Sequence, residues 1–152
     1  MDLLAETLAA TDPAQWMRNG RWIYAAASGL HVLGIALLVG AIASLDLRLV
    51  GLWPAVPVAL LGRVLVPVAA AGLALAMIAG LLLFLAAPAD YLRMRLFFLK
   101  LALIATGTGH ALWVHAGGGF SRPPAVLRRI GATSLLIWLS VLACGRMLAF
   151  TG

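Results

Sequence analysis

The chain has 152 residues, of which 64% are hydrophobic and 11% are charged, and its mean hydropathy is +1.06. Soluble domains contain about 45–50% apolar and about 25% charged residues, so this composition predicts an integral membrane protein. Eleven basic residues outnumber five acidic ones and give a net charge of +6. These charges lie at the edges of apolar runs, where they meet water and lipid headgroups, and we therefore expect no binding of nucleic acid.

The single cysteine, Cys144, lies inside an apolar run. One cysteine excludes an internal disulfide bond and any zinc or iron–sulfur site built from cysteines. The sequence also contains no glycine-rich phosphate loop, no nucleophile–base set and no pair of neighbouring carboxylates. Hydrolase and kinase chemistry are therefore excluded.

Four runs without Asp, Glu, Lys or Arg follow one another along the chain, at residues 22–45, 64–89, 101–121 and 130–145. A bilayer core needs about 20 apolar residues of helix. The pattern predicts an all-α fold, a four-helix transmembrane bundle with up-down-up-down topology and both termini on the same side. We expect one membrane domain over 1–152, with spans at about 22–46, 64–87, 96–116 and 128–150. Residues 1–20 are predicted to lie along the membrane interface.

The basic residues divide six to five between the two sides of this bundle, which predicts no orientation. Gly72, Ala76 and Gly80 recur at four-residue spacing in the second span, a pattern that lets another helix approach closely. Ser134, Trp138 and Val141 form a stripe on the fourth span and predict a packing face.

All three histidines lie in apolar segments, where polar groups usually face the bundle interior. His31 follows Trp22 by nine residues, and His110 follows Lys100 by ten, which places both about 14–15 Å deep if Trp22 and Lys100 mark the interface. His115 is five residues further along and turned by about 140° from His110. The sequence therefore predicts His31 and His110 as a facing pair, with His115 elsewhere.

Two neutral imidazoles facing each other across a helical bundle are the usual axial ligands of haem b. We therefore expect His31 and His110 to bind the metal, with His115 as the substitute ligand. Small residues beside the two histidines, Gly34 and Gly107 among them, would leave room for a flat cofactor. Five basic residues near one surface would bind the haem propionates: Arg21, Arg93, Arg95, Lys100 and Arg146. Lys100 and Arg146 are equally well explained by side chains that reach the headgroups.

Two stretches resemble a known family: LHVLGIALLVGAIASLDLRLVGL and AGLLLFLAAPADYLRMRLFFLKLALIATGTGHALWVH. They resemble small bacterial four-helix integral-membrane proteins with no assigned function, over about residues 22–146. The residues that carry the resemblance are His31, Gly34, Asp46 to Arg48, Tyr91, Lys100 and His115. Because that family commonly has Asn where this chain has His110, the resemblance implies His115 as the more general ligand. We expect the protein in the bacterial inner (cytoplasmic) membrane. Arg48 is predicted to anchor the end of the first span, with Asp46 as its local partner.

A more distant resemblance is to the haem-b membrane proteins that oxidise protoporphyrinogen IX, which have a histidine in the first helix and a lysine followed by a histidine. His31, Lys100 and His110 match that pattern. The first helix is also similar to that of CopD-type copper-resistance proteins. Both resemblances are analogies of motif.

The leading hypothesis is a membrane b-type cytochrome that exchanges electrons with quinone or a soluble cytochrome. Three alternatives stay open: a protoporphyrinogen-oxidase-like haem enzyme, a protein that binds copper in place of haem, and a non-catalytic membrane subunit. The methionines form no row suited to copper. Beyond the lipid bilayer, the partners include a second copy of the chain or a larger membrane complex.

Overall fold

A computed structural model describes residues 2–151, which form helices joined by short connections, with no strand among them. The helices are α1 (Asp2–Ala9), α2 (Asp12–Asn19), α3 (Arg21–Val50), α4 (Val58–Ala86), α5 (Pro88–Arg93), α6 (Arg95–Ala116) and α7 (Pro124–Thr151). A single 3₁₀ turn, Gly119–Ser121, lies between α6 and α7. The prediction of an all-α fold is confirmed.

Four of the helices, α3, α4, α6 and α7, are long and apolar enough to cross a membrane. They correspond to the four predicted spans, and three of them are several residues longer than the sequence indicated. α4 begins at Val58, six residues before the predicted start. α3 continues to Val50, so Asp46 and Arg48 both lie inside it. α7 begins at Pro124, four residues before the predicted start. Charge-free runs mark the part of a helix that lipid requires to be apolar, whereas the helix itself continues into the headgroup region.

Helix α3 is at the centre of the arrangement, because it packs against both α4 and α7, while α6 packs against α7. α4 and α6 are not packed against each other. Their neighbouring ends meet only around α5, where the rings of Phe84 and Phe97 stack with centroids 5.5 Å apart and Tyr91 lies against both. The four long helices therefore leave a gap between α4 and α6 beyond this aromatic cluster.

α3 and α4 approach each other at backbone distance. A Cβ atom built on Gly34 would lie 2.5 Å from the backbone N of Ala76, and one built on Gly72 would lie 2.6 Å from the backbone N of Leu38. Only hydrogen fits at these two positions, so the backbones pack directly on each other. The small-residue pattern of the second span therefore has the predicted function, and its partner is α3.

Trp138 of α7 fixes the relative heights of α3, α6 and α7. Its buried indole packs with Leu38 of α3 and Val141 of its own helix, and it lies 3.0 Å from the position of a Cβ on Gly107 of α6. The packing face predicted for the fourth span is confirmed for Trp138 and Val141. We refer to Leu38, Gly107 and Trp138 as the Trp138 layer.

Contacts on either side of the Trp138 layer follow a consistent order. Further along α7, Gly145 lies against Lys100 of α6, whereas earlier in α7, Gly131 lies against Asp46 of α3. Positions that come later in α7 therefore contact positions that come earlier in α3 or α6. His31 and Lys100 are on one side of the layer, which we call the His31 half, and Asp46 is on the other, the Asp46 half.

The two short N-terminal helices cover the end of the His31 half. α2 packs against α4 and α3, with Ala14 and Met17 buried, and α1 packs against α5. Trp16 and Trp22 remain 66% and 81% exposed there. Tryptophan is enriched at membrane interfaces, which is compatible with the interfacial position expected for residues 1–20, and that position stays a prediction.

Candidate functional site

His31 is held across the seam between α3 and α4. Its Nδ1 lies 2.7 Å from the carbonyl oxygen of Ala76, and its ring lies over Gly80, where a Cβ would be 2.9 Å from Cε1 of the imidazole. Because a carbonyl oxygen only accepts, Nδ1 carries the hydrogen and Nε2 keeps its lone pair. The second shell of a metal-binding histidine has this same arrangement, in which one ring nitrogen donates to a carbonyl and the other is left for the metal.

Lys100 lies at the same height as His31. His31 precedes Leu38 by seven residues, and Lys100 precedes Gly107 by seven, so both are about 10 Å from the Trp138 layer. The Nζ of Lys100 would be 3.7 Å from a Cβ on Gly145, and its ammonium group interacts electrostatically with His31. The other electrostatic neighbour found for Lys100 is Cys144, so neither of these neighbours is a carboxylate.

His110 is not brought to His31. It follows Gly107 by three residues, in the Asp46 half, whereas His31 is in the other half, so the two are about ten residues of helix rise, or about 15 Å, apart in height. α3 and α6 also lack direct packing, since α7 contacts both. The expected facing pair of His31 and His110 is therefore not formed in the described chain. Lys100 does not mark the end of its helix, because α6 begins five residues earlier, at Arg95, and the depth predicted for His110 is therefore wrong.

The glycines expected to leave room for a flat cofactor have another role. Gly34 admits the backbone of α4, and Gly107 admits the indole of Trp138. The space beside these two residues is already occupied by protein. The expectation that they border a cofactor is corrected accordingly.

The basic residues expected near propionates lie at the end of the His31 half. Arg21 is the first residue of α3 and Arg93 the last of α5, and both are exposed. Arg146 is exposed on α7, where its guanidinium group lies 4.7 Å from the ring centre of Phe150 on the same helix. Among the cations of this half, Lys100 is the one whose charge acts on His31.

His110 and His115 both line a cavity of about 450 Å³ in the Asp46 half, which we call the Asp46 cavity. Its walls are mostly apolar and come from all four long helices, with Leu45, Ala69, Val114 and Ile130 as examples. Phe120, from the turn before α7, lies against Gly62 and 6.0 Å from the ring of His115. Both α4 and α6 line the cavity, although these two helices are not packed against each other.

The two histidines approach this cavity differently. His110 is half-buried, and its ring centroid is 6.1 Å from that of Trp113. His115 is exposed, and its Nδ1 lies 2.8 Å from the carbonyl oxygen of Ala111 on its own helix. Within residues 2–151, no group of three or more His, Cys, Asp or Glu side chains is placed to hold a metal ion.

The sequence interpretation missed Asp46 as a site residue. Its side chain is only 3% exposed, lines the cavity and is hydrogen-bonded to the hydroxyl group of Ser134 on α7. The predicted partnership with Arg48 is wrong, because Nε of Arg48 donates to the carbonyl of Val56 at 2.6 Å and Nη2 to that of Pro54 at 3.1 Å. A carboxyl group inside an apolar helix is itself a signal of function. That signal was lost because the span was ended at residue 46.

Comparison with known proteins gives no relative: no protein-family model, no curated protein and no solved structure matches the chain.

Proposed function

We propose that this protein is a membrane cytochrome that binds haem b inside a four-helix bundle, with His31 as an iron ligand. In this proposal the helices cross the bacterial inner membrane in alternate directions, which puts both termini on the same side. The reversed contact order between α7 and its two neighbours supports that topology. Electrons would be exchanged with a quinone or a soluble redox protein.

The hydrogen bond from His31 to the Ala76 carbonyl is the observation that carries the proposal. It fixes the ring and the tautomer, so that Nε2 is the nitrogen with a lone pair. Haem would supply one-electron chemistry at this position, and the chain would supply the ligand, its orientation and an apolar surrounding that excludes water. A structural histidine that only bridges two helices would use Nδ1 alone, whereas the proposed haem iron would bind Nε2.

Lys100 supplies a second, independent argument. An ammonium group at membrane depth is costly and is normally paired with an anion. The two titratable groups whose charges interact with that of Lys100, His31 and Cys144, provide no carboxylate. A porphyrin bound at His31 would bring its own carboxylates to this height. His110 would not complete a bis-histidine site, since it lies in the other half of the bundle.

The test is the absorption spectrum of the purified protein and of three single variants. We expect a Soret band that is lost in His31→Ala and retained in both His110→Ala and His115→Ala. His115→Ala is the matched control, because His115 is exposed and bonded to its own helix. Absence of a Soret band, or a band unchanged by His31→Ala, would leave the protein as a helical membrane subunit without haem.

A second function, oxidation of protoporphyrinogen, is favoured by the common height of His31 and Lys100. These are two of the three residues that carry the resemblance to haem-b protoporphyrinogen oxidases, and the substrate has carboxylates that an ammonium group would bind. The expected result is rescue of a bacterial strain that lacks its own oxidase, with loss of rescue in Lys100→Met. Growth equal to that of the empty vector would reject this second function and leave the cytochrome proposal intact. Copper binding is not supported by any cluster of ligands in the described chain.

A further inference from the structure

Within the described residues, Asp46 has the one buried side-chain polar atom to which no protein group is hydrogen-bonded. Its Oδ2 has no hydrogen-bond partner within residues 2–151, while the carboxyl group is otherwise bonded to Ser134. A buried polar atom without a partner costs about 1–3 kcal/mol, and more if it is charged. Arg48, the nearest cation in sequence, is committed to the carbonyls of the following loop. The cost indicates that something other than the protein completes this site.

The surroundings of Asp46 define the chemistry of that missing partner. The Asp46 cavity has about 450 Å³, within the range of about 300–1,000 Å³ that small-molecule sites occupy. Apart from Asp46 and Ser134, its polar side chains are Thr108, the two imidazoles of His110 and His115, and the indole of Trp138. A few polar groups in an otherwise apolar cavity fit a ligand that is mostly apolar and carries one or two oxygen atoms.

Access to the cavity comes from the bilayer. α4 and α6 do not pack together, and the lining includes the exposed residues Ala70 of α4 and Leu112 of α6 on the two sides of the gap. A ligand that enters here is dissolved in lipid, and a long apolar tail is able to remain in the gap while the head group lies inside.

We propose that the Asp46 cavity binds a membrane quinone, with one ring oxygen hydrogen-bonded to the carboxyl group of Asp46. A quinone offers a carbonyl acceptor and its quinol offers a hydroxyl donor. A carboxyl group matches both, because it donates when protonated and accepts when ionised, and an imidazole such as that of His110 has the same double capacity. The flat head group and apolar tail match the walls and the lateral opening.

The inference deepens the proposed function, since it assigns a site to the quinone named there, and the electron transfer rests on that function. Binding of the quinone does not require haem. The two proposals therefore fail separately: His31→Ala tests haem in the His31 half, and Asp46 variants test quinone in the other half.

The experiment is a calorimetric titration of the detergent-solubilised full chain with decylubiquinone, corrected by the same titration into empty micelles. We expect saturable binding at one site, an affinity at least tenfold lower in Asp46→Leu, and no detectable binding in Ala70→Phe, which fills the opening. Ala71→Phe and Asp90→Asn are the matched controls and should keep the wild-type affinity, because both positions are exposed and lie outside the cavity. Asp46→Leu and Ala70→Phe should elute and show helical circular dichroism as the wild type does, and their Soret band should be unchanged.

Three results would overturn the proposal. One is the absence of saturable binding in the wild type. Another is equal affinity in the wild type and Asp46→Leu, which would mean that an apolar ligand enters without using the carboxyl group. The third is equal affinity in the wild type and Ala70→Phe, which would place the quinone elsewhere on the protein. A misfolded Asp46→Leu leaves Ala70→Phe and its Ala71→Phe control as the deciding pair.

Discussion

Nδ1 of His31 on α3 donates a hydrogen bond over 2.7 Å to the carbonyl oxygen of Ala76 on α4. The bond joins two helices that already touch through Gly34 and Gly72. Hydrogen bonds between membrane helices contribute only about 0.6 kcal/mol on average. We therefore predict that, with haem absent from both proteins, His31→Ala lowers the free energy of unfolding by about that amount, as measured by reversible unfolding in mixed micelles. A loss of several kcal/mol would show that His31 is a major structural residue and would weaken its interpretation as a ligand.

The seam between α3 and α4 predicts a large effect of a single methyl group. Gly34→Ala would place Cβ 2.5 Å from the backbone N of Ala76, and a backbone atom in a packed seam has little freedom to move. Overpacking of this kind costs about 1–3 kcal/mol. We expect a corresponding fall in unfolding free energy.

Gly40→Ala, in the same helix, is the control for this substitution, since a Cβ at Gly40 would meet nothing within 4 Å. Alanine is the better helix former, so the control should be neutral or stabilising by up to about 1 kcal/mol. Equal effects of the two substitutions would contradict the close approach of α3 and α4.

Asp46 and Ser134 should be energetically coupled. Ser134→Ala removes the hydroxyl group that bonds to the carboxyl group and leaves a second carboxyl oxygen without a partner, at a cost of about 1–3 kcal/mol. In an Asp46→Leu background the same change should cost little, because no buried carboxyl group remains. A double-mutant cycle measured by unfolding tests this, and additive effects would mean that the two side chains do not interact.

Arg48 should determine the rigidity of the connection between α3 and α4. Its guanidinium group donates to Pro54 and Val56, and neither lysine nor glutamine reproduces both bonds. Net hydrogen bonds are worth about 0.5–1.5 kcal/mol each, so we expect proteolysis of residues 51–57 to become about fivefold faster in Arg48→Lys. Arg63→Lys, at an exposed position of α4, should leave the rate of cleavage unchanged.

Lys100 and Arg146 were equal candidates for propionate binding in the sequence, and the structure separates them. Lys100 interacts electrostatically with His31, while Arg146 lies over Phe150 on the outside of α7. We predict that Lys100→Met reduces the haem retained per protein during purification at least threefold, whereas Arg146→Met retains the wild-type ratio, as measured by pyridine haemochrome assay. A larger loss of haem in Arg146→Met than in Lys100→Met would place the haem propionates near Arg146, on the outside of α7.

The helical class and the number of spans were predictable because both depend on local composition. A run of about 20 apolar residues has a low free energy in lipid only as a helix, whichever helices surround it. The packing role of Gly72, Ala76 and Gly80 was equally predictable, since small side chains at four-residue spacing allow close contact with any neighbouring helix. The end of α3 was predicted too early and the starts of α4 and α7 too late, because helices continue past the charged residues that mark the headgroups.

The arrangement of polar residues was decided by the tertiary structure. Asp46 and Arg48 are two positions apart on a helix and point in different directions, about 200° around its axis, so one reaches Ser134 and the other the loop. The relative heights of the histidines depend on how far α3 is shifted along α6. Trp138 fixes that shift by packing against Leu38 and Gly107, and no local sequence pattern predicts it.

Hydropathy alone therefore determined that four apolar helices form, because each segment responds to lipid independently. Which helices became neighbours was a property of the whole molecule, since it depends on how side chains from distant segments fit together. That fit put Lys100 at the height of His31, turned Asp46 into a cavity and left α4 apart from α6.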